Sequence, residues 1–275
     1  MNVRKNLAYP LASQGMPRAK RKAKVAEVAA ILGIEDILDR PVGGLSGGDR
    51  QRVALGRAIV REPKAFLMDE PLGALDTEFR EHMAEELRAL HDRMGATTVY
   101  VTHDQLEAMQ MGDKIVVMNN ASIEQYGTPR EIYDKPASLF VADFIGSPSM
   151  NFLEFDAKVA PADRQVTLSG HTVEAPELRQ GAEGQLVFGI RPEHVRLQDA
   201  SKFRGEVIAA EYLGTNQIVT LKTANGELKA RIDSATSVTP GESVGIDFRG
   251  ETVTLFEQST GSALRSALNE EVIDG

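Results

Sequence analysis

The sequence predicts an α/β domain followed by a smaller all-β domain. Three observations support this fold class. Residues 65–68 form an apolar run between Pro63 and Pro71 that ends in two acids, which is typical of a parallel strand buried on both faces. Segments with the period of amphipathic helices lie on either side of that run. From Asn151 onward, short β-branched or alternating segments separated by turns predict a small barrel.

Composition limits the class of protein. A length of 275 residues is enough for two domains with separate cores. The net charge of −9 and an aromatic content of 5% argue against a nucleic-acid partner, which would need a basic and aromatic surface. The sequence has no cysteine, so disulfide and thiolate chemistry are excluded. It also has no apolar run of about 18 residues that would predict a membrane span.

The first predicted helix covers residues 19–32. Its apolar residues recur at i, i+3, i+4 and i+7, namely Val25, Val28, Ala29 and Leu32. Gly33 is expected to end the helix. The basic run at 20–24 is interpreted as a solvated face.

The stretch Leu45-Ser46-Gly47-Gly48-Asp49-Arg50-Gln51-Arg52 predicts a glycine turn that opens a helix. Ser46 is a natural N-cap, and Asp49 three residues later is expected to complete a capping box. Consecutive glycines lower helix propensity and are useful chiefly where a ligand approaches the backbone. Because a helix start offers free N–H groups and a positive dipole end, Ser46, Gly47 and Gly48 could bind a phosphate. A well-capped helix without a ligand is the alternative.

The next stretch, Phe66-Leu67-Met68-Asp69-Glu70-Pro71, is an apolar strand that ends in two carboxylates. Such an end suits a metal ion and an attacking water. A β-branched strand is predicted at 97–101, and His103 follows it at the end where open α/β sheets place their ligands.

Between these strands, residues 77–94 give the clearest helical pattern. The apolar stripe of this helix consists of Phe79, Met83, Leu87, Leu90 and Met94. His82 and His91 lie on this helix without metal-ligand spacing and are interpreted as ordinary surface or boundary residues.

The second part of the chain is predicted to begin with a hairpin, 114–118 and 122–126, around Asn119-Asn120. Two short helices are expected, from Gly127 to Tyr133 and from Ser138 to Ile145. Strands are predicted at 185–190, 203–212, 217–223, 227–232, 243–248 and 252–256, and the last two are expected to pair around Arg249-Gly250.

Domain boundaries follow from composition. Gly146-Ser147-Pro148 marks a change from helical to stranded patterns. The predicted domains are therefore 1–147 and 148–258, followed by a tail at 259–275. The tail is expected to form a loose helix around 263–268 or to be disordered.

Four of these stretches, in this order, resemble the motifs of ABC-type ATPases. Residues 45–52 resemble the signature motif, and 66–71 resemble the Walker B segment. Leu72-Gly73-Ala74-Leu75-Asp76 is similar to the D-loop, and Val101-Thr102-His103-Asp104 is similar to the switch-histidine loop. The resemblance implies an α/β P-loop NTPase-like fold that uses ATP and Mg²⁺.

The resemblance also implies roles for the acids and the histidine. Asp69 would hold Mg²⁺, usually through water, and Glu70 would orient or deprotonate the attacking water. His103 would contact the γ-phosphate and that water. Asp76 would lie at the dimer contact of the D-loop.

In the same family the signature helix serves a second subunit. Ser46, Gly47, Gly48 and Asp49 would therefore contact the ATP of a partner. The family usually has Gln at the position of Asp49, and a carboxylate is electrostatically awkward near a γ-phosphate. The side chain of Asp49 is expected to point away and cap the helix, although its role is left open.

The C-terminal part resembles the regulatory (TOBE, OB-like) domain of sugar importers of the maltose/multiple-sugar type. The resemblance rests on Phe144-Ile145-Gly146-Ser147-Pro148 and Gly189-Ile190-Arg191-Pro192-Glu193-His194. Arg191 and Glu193 are expected to pair with each other. The implied partners are permease subunits in the membrane, a second ATP-binding subunit in a homo- or heterodimer and, indirectly, a solute-binding protein. The implied location is the cytoplasmic face of the membrane, as a peripheral subunit.

Two motifs of the family have no counterpart in these 275 residues. The P-loop, G-x-x-x-x-G-K-[ST], is not matched, because the sequence has no Gly-Lys pair, and no Q-loop is found. Residues 1–8 resemble the segment that follows the Q-loop, so the expectation is an incomplete nucleotide-binding domain with an impaired ATP site. The alternatives are a misplaced start, a split gene, or a non-catalytic subunit that contributes only its signature helix and barrel. A DNA-repair ATPase of this family is disfavoured by the barrel and by the lack of heptads.

Overall fold

A computed structural model describes residues 1–270 apart from Ala74 and Asp76, and it describes only the backbone of Thr77, Glu78, Phe79, Leu90 and Met94. The proposed dimer residue Asp76 and the end of the tail, 271–275, thus lie outside the described residues. The same holds for the side chains of Phe79, Leu90 and Met94 in the predicted apolar stripe. The chain divides into two compact units, Met1–Gly112 and Asp113–Gly275.

The first unit contains five helices in its described part. They are α1 (Val3–Ser13), α2 (Arg18–Ile31), α3 (Gly47–Ile59), α4 (Thr77–Met94) and α5 (Gln105–Met111). The predicted α2 is confirmed, since Val25, Val28 and Ala29 are buried. The helix ends at Gly33, which adopts a φ of 57°.

Close packing of α1 and α2 against α3 depends on Gly56. A Cβ at this position would lie 2.8 Å from side-chain atoms of Leu7 and Leu32. These three helices share one core with α4, to which Met83 and Leu87 contribute buried side chains. Among the described residues, no helix is both long enough and apolar enough to cross a membrane.

Two parallel strands complete the first unit, β1 (Ala65–Asp69) and β2 (Thr97–Val101). The prediction that β1 is buried on both faces is wrong. Phe66 is buried against the helical core, whereas Leu67 is 84% exposed on the opposite face. Val99 and Val101 of β2 are 53% and 49% exposed. The described helices cover one face of this two-stranded sheet, so every second apolar side chain meets solvent.

The second unit begins with a hairpin of β3 (Ile115–Asn119) and β4 (Ser122–Gly127). Its turn residues Asn120 and Ala121 both have positive φ values, 46° and 63°, so the turn lies one residue later than predicted. Two short helices follow, α6 (Pro129–Asp134) and α7 (Leu139–Phe144), as the sequence predicted.

The rest of the second unit is an antiparallel barrel-like domain. One sheet has the order β12-β11-β10-β13-β9, another has the order β14-β8-β5, and β6 pairs with β7. These strands are β5 (Asn151–Val159), β6 (Gln165–Leu168), β7 (His171–Glu174), β8 (Ala182–Ile190), β9 (Val195–Leu197), β10 (Arg204–Tyr212), β11 (Asn216–Thr223), β12 (Gly226–Asp233), β13 (Ser243–Phe248) and β14 (Thr254–Glu257).

The predicted pairing of 243–248 with 252–256 is wrong. Strand β13 pairs with β10 and β9, whereas β14 pairs with β8 in the other sheet. A 3₁₀ turn, Gly250–Thr252, separates the two strands. A Cβ at Gly250 would lie 2.5 Å from the Cβ of Glu174, so the turn packs tightly on the end of β7 and directs the chain to the second sheet.

The helix expected around 263–268 is also wrong. Ala263 and Ser266 form isolated bridges with Phe256 and Leu178, and residues 267–269 form a turn. Asn269 is fully buried, and its side chain bonds the backbone of Leu264 and Ser266. These contacts favour the bridged form over a local helix.

Arg191 is 2% exposed and does not form the expected pair with Glu193. Its guanidinium donates to the carbonyls of Ala142 at 3.0 Å, Ile145 at 2.5 Å and Tyr133 at 2.9 Å, at the C-terminal ends of α7 and α6. Glu193 instead accepts from the Tyr133 hydroxyl at 2.6 Å. Carbonyl groups at the ends of α6 and α7, which have no partner within their helices, thus compensate for burial of the Arg191 guanidinium.

The second compact unit begins at Asp113, so it includes the hairpin of β3 and β4 and both short helices. The division into 1–147, 148–258 and 259–275 is based on sequence composition and stays a prediction.

Candidate functional site

The carboxyl ends of β1 and β2 lie side by side because the strands run parallel. Asp69, the last residue of β1, is opposite Val101 and is exposed. The N–H of Glu70 donates to the carbonyl of Val101 at 2.8 Å. His103 follows two residues later, so the strands place all three predicted side chains at one edge.

Glu70 adopts a left-handed conformation with a φ of 44°. This conformation costs a non-glycine residue about 1–2 kcal/mol and persists where surrounding contacts hold it. Here the backbone is held on both sides, since the Glu70 carbonyl also accepts from the N–H of Gly73 at 3.2 Å.

The carboxylate of Glu70 contacts the ring of His103. Oε1 of Glu70 lies 3.0 Å from Nε2 of His103, and the two side chains are 51% and 87% exposed. A solvent-accessible carboxylate beside an imidazole can accept a proton from water and orient it.

The loop that carries His103 is held by a buried acid. Glu107 is 5% exposed, and its Oε2 accepts from the hydroxyls of Tyr100 at 2.9 Å and Thr102 at 2.8 Å. Burial and this carboxylate raise the pKa of Tyr100 well above its usual value. Asp104 caps α5 by accepting from two backbone N–H groups. Residues on both sides of His103 are therefore fixed.

Arg80 of α4 links this loop to the segment after β1. Its Nη2 donates to the carbonyl of Leu75 at 3.0 Å. Its Nη1 lies 3.6 Å from Asp104, and its Nε lies 3.8 Å from Glu107. No sequence pattern singles out Arg80 or Glu107, because a charged residue on an amphipathic helix usually faces solvent.

The start of α3 has an open backbone. The Ser46 hydroxyl accepts from the N–H of Asp49 at 3.1 Å, as expected of an N-cap. Ser46 and Gly47 are exposed, and apart from the adjoining residues and the backbone of α3 no atom lies within 4 Å of the position that a Gly47 Cβ would occupy. A phosphate could therefore approach this helix start from solvent.

The carboxylate of Asp49 forms an ion pair with Arg52 on the next turn of α3. Burial opposes ionisation of Asp49, but the Ser46 hydroxyl and the charges of Arg52 and Arg40 outweigh it and lower the pKa of Asp49. The capping box predicted for α3 would also need the Asp49 carboxylate to bond the backbone at Ser46. That carboxylate pairs instead with the guanidinium of Arg52, and a charged partner forms the stronger bond. The full capping box occurs on α6, between Thr128 and Glu131.

Gln51 connects α3 to the turn after β1. Its Nε2 donates to the carbonyl of Glu70 at 3.0 Å and to the carbonyl of Pro71 at 2.6 Å. No sequence pattern pointed to this contact, because the partners lie 19 and 20 positions apart.

The chemistry of these residues fits ATP and Mg²⁺. Magnesium is usually bound through one or two carboxylates, with phosphate oxygens and waters as its other ligands, and Asp69 offers one exposed carboxylate. Among the described residues, no group of three or more His, Cys, Asp or Glu side chains could hold a metal ion. The open start of α3 suits a phosphate.

Three family models match the chain. The ABC transporter model matches residues 1–73, the MalK OB fold domain matches 146–195, and the TOBE domain matches 188–256. The OB and TOBE matches confirm the all-β OB-like domain expected from the sequence.

Curated relatives cover most of the chain. An uncharacterized ABC transporter ATP-binding protein, y4oS, of Sinorhizobium fredii is 44% identical over 96% of this chain and 71% of its own length. The trehalose/maltose import ATP-binding protein MalK of Thermococcus litoralis is 42% identical over 96% of this chain and 74% of its own. The sn-glycerol-3-phosphate import ATP-binding protein UgpC of a Ruegeria species is 42% identical over 95% and 73%.

These similarities establish the class of protein as an ATPase of the ABC type. Within that class, the chain belongs to the family of ABC transporter ATP-binding subunits that includes the MalK and UgpC proteins.

Proposed function

We propose that this chain is an ATP-binding subunit of an ABC importer that takes up a carbohydrate or a related solute. The import function in the names of the MalK and UgpC relatives supports import, and the matched OB and TOBE regions support the maltose-type branch. The subunit would act as a peripheral protein at the cytoplasmic face of the membrane. It would work with permease subunits, a second ATP-binding subunit and, indirectly, a solute-binding protein.

The observation that carries this proposal is the contact between Glu70 and His103, 3.0 Å long, at the ends of two parallel strands. Glu70 would orient the attacking water and accept its proton, and His103 would hydrogen-bond the water or the γ-phosphate. Asp69 would hold Mg²⁺, which supplies positive charge to the transferring phosphate when bound.

The start of α3 would serve the ATP of a second subunit. Ser46, Gly47 and Gly48 would offer the hydroxyl and backbone N–H groups, in a homo- or heterodimer. The ion pair between Asp49 and Arg52 would offset the charge that a lone carboxylate would bring near the γ-phosphate. Asp76 is proposed as a dimer contact on the strength of the motif alone.

We further propose that the 275-residue polypeptide by itself binds ATP weakly. Its own site would need the contacts of a P-loop, and the sequence has no Gly-Lys pair. Paired with a subunit that carries a P-loop, the chain would complete one whole site and leave one impaired site. The second candidate function follows from the same observation: a non-catalytic subunit that contributes its signature helix and its barrel.

The experiment measures equilibrium binding of radiolabelled ATP to three samples: this chain, an ABC import ATP-binding subunit with a P-loop, and their mixture. We expect little binding to the chain alone and tighter binding in the mixture than to the other subunit alone. Micromolar binding of ATP to the chain alone would overturn the proposal that its own site is impaired.

The variant Ser46→Asp keeps an N-cap but adds a negative charge where the phosphate would sit. It should therefore abolish the tighter ATP binding expected in the mixture. Asn2→Asp, at the N-cap of α1, is the matched control and should leave the increase in ATP binding unchanged. If ATP binding in the mixture were as tight with Ser46→Asp as with the unmodified chain, the proposed phosphate contact at the start of α3 would be wrong.

A further inference from the structure

We infer that Gln51 is a positioning residue for Glu70, and that it joins the start of α3 to the catalytic turn of the same subunit. The inference rests on the proposed function, because it takes Glu70 as the residue that handles the attacking water. It adds a physical connection between the two halves of the site: the helix start that faces a partner's nucleotide and the carboxylate that faces the subunit's own.

The side chain of Gln51 forms two hydrogen bonds with the turn after β1. The Gln51 amide nitrogen donates to two successive carbonyls, those of Glu70 at 3.0 Å and Pro71 at 2.6 Å. A primary amide has two N–H groups, so one side chain can supply both bonds. Pro71 has no N–H of its own, so the turn has one backbone donor fewer with which to hold itself.

The turn needs such support because Glu70 is in the left-handed region, with a φ of 44°. The backbone contacts that hold it are the N–H bond to Val101 and the carbonyl bond from Gly73. Gln51 adds a side-chain bond from α3 to the same carbonyl. Without this bond, the turn could relax toward an ordinary conformation and carry the carboxylate away from His103.

The position of Gln51 on α3 makes the connection direct. Ser46 caps the helix, and Gln51 lies five residues further along, about 7.5 Å at the usual helical rise. A helix moves as a rigid element over this distance. A shift of the helix start on contact with a partner's phosphate would therefore displace the Glu70 carbonyl, so occupancy of one site would be felt at the carboxylate of the other.

The test follows the histidine ring signals of the full 275-residue chain by NMR, without nucleotide. The chain has five histidines, and loss of the Glu70 carboxylate in Glu70→Ala defines where the His103 signal moves when this contact is absent. Gln51→Glu keeps the shape of the side chain but removes both N–H donors. We expect it to move the His103 signal toward its position in Glu70→Ala and to leave the other four signals in place.

Gln51→Lys retains donors on a side chain of similar reach and should restore the native His103 signal. Arg57→Ala, on the exposed side of α3, is the matched control and should change none of the five signals. Hydrogen exchange of the Gly73 amide should be several-fold faster in Gln51→Glu than in the control.

An unmoved His103 signal would overturn the positioning role, and so would movement of all five signals, which would mean a general loss of structure. Because no nucleotide is present, this result is separate from the ATP-binding experiment, so failure of the inference and failure of the proposed function can be told apart.

Discussion

Nε2 of His103 lies 3.0 Å from Oε1 of Glu70, although the two residues follow different strands. The contact exists because β1 and β2 are parallel and in a register that pairs Asp69 with Val101. Each partner has its own support: the Glu70 turn is held by Gln51 and Val101, and the His103 loop is held through Glu107. The geometry of the proposed catalytic pair therefore depends on Gln51, within the signature stretch, and on Glu107, outside the recognised motifs.

Removal of the buried carboxylate in Glu107→Ala should destabilise the first unit by about 2 kcal/mol. The change leaves the hydroxyls of Tyr100 and Thr102 without their acceptor and deprives Arg80 of a nearby counter-charge. Urea denaturation measures this loss. Glu85→Ala, at an exposed position of α4, is the control and should change stability by less than about 0.5 kcal/mol. Equal stability of the two variants would contradict the role assigned to Glu107.

The exposed apolar face of the two-stranded sheet should attract apolar molecules from solution. Leu67 is 84% exposed beside Val99 and Val101, and parallel sheets are normally covered on both faces. We expect strong binding of a hydrophobic dye, reduced in Leu67→Lys without loss of helical content. Met83→Lys, at a buried position of α4, should instead unfold the unit. Weak dye binding by the unmodified chain, or equal dye binding in Leu67→Lys, would contradict the exposure of this face.

Arg191→Lys should destabilise the second unit by about 3 kcal/mol. A lysine ammonium cannot reproduce the planar set of bonds to Tyr133, Ala142 and Ile145, and it would be buried without a counter-charge. Thermal denaturation followed by circular dichroism measures the change. Arg130→Lys, an exposed position on α6, should have a negligible effect. A small effect of Arg191→Lys would mean that the carbonyl bonds contribute little.

The second unit should lose stability as the pH falls through about 6.5, the usual pKa of histidine. Burial lowers the pKa of His194, so the unfolded chain binds a proton before the folded chain does. Stability therefore rises with pH in this window and falls on acidification, because protons favour the unfolded state. His194→Gln should flatten this part of the pH profile. An unchanged slope in His194→Gln would contradict the assignment.

Much of this architecture could be predicted from local patterns. The apolar periods of α2 and α4 and the N-cap at Ser46 each depend on residues within one or two helical turns. The adjacency of Glu70 and His103 follows from the rule that parallel strands end at one edge. Helix α1 was missed because Pro10 interrupts its helical pattern.

The parts that could not be predicted depend on long-range packing. The contacts of Gln51 and Arg191 join residues that are far apart in sequence, and no periodicity signals them. The exposure of one face of β1 could not be predicted, because the composition of a strand does not show which elements pack on it. The wrong pairing of β13 with β14 has a similar cause, because the close approach of Gly250 to Glu174 redirects the chain.

The most direct test of the central claim measures ATP turnover in a dimer of this chain with a subunit that carries a P-loop. In the proposed roles, the start of α3 serves the ATP held by the partner's P-loop, and Glu70 serves the second site of the dimer. Ser46→Asp in this chain should therefore reduce turnover by about 100-fold, whereas Glu70→Gln should leave turnover at the complete site nearly unchanged. Full turnover in Ser46→Asp, or loss of turnover only in Glu70→Gln, would contradict the account.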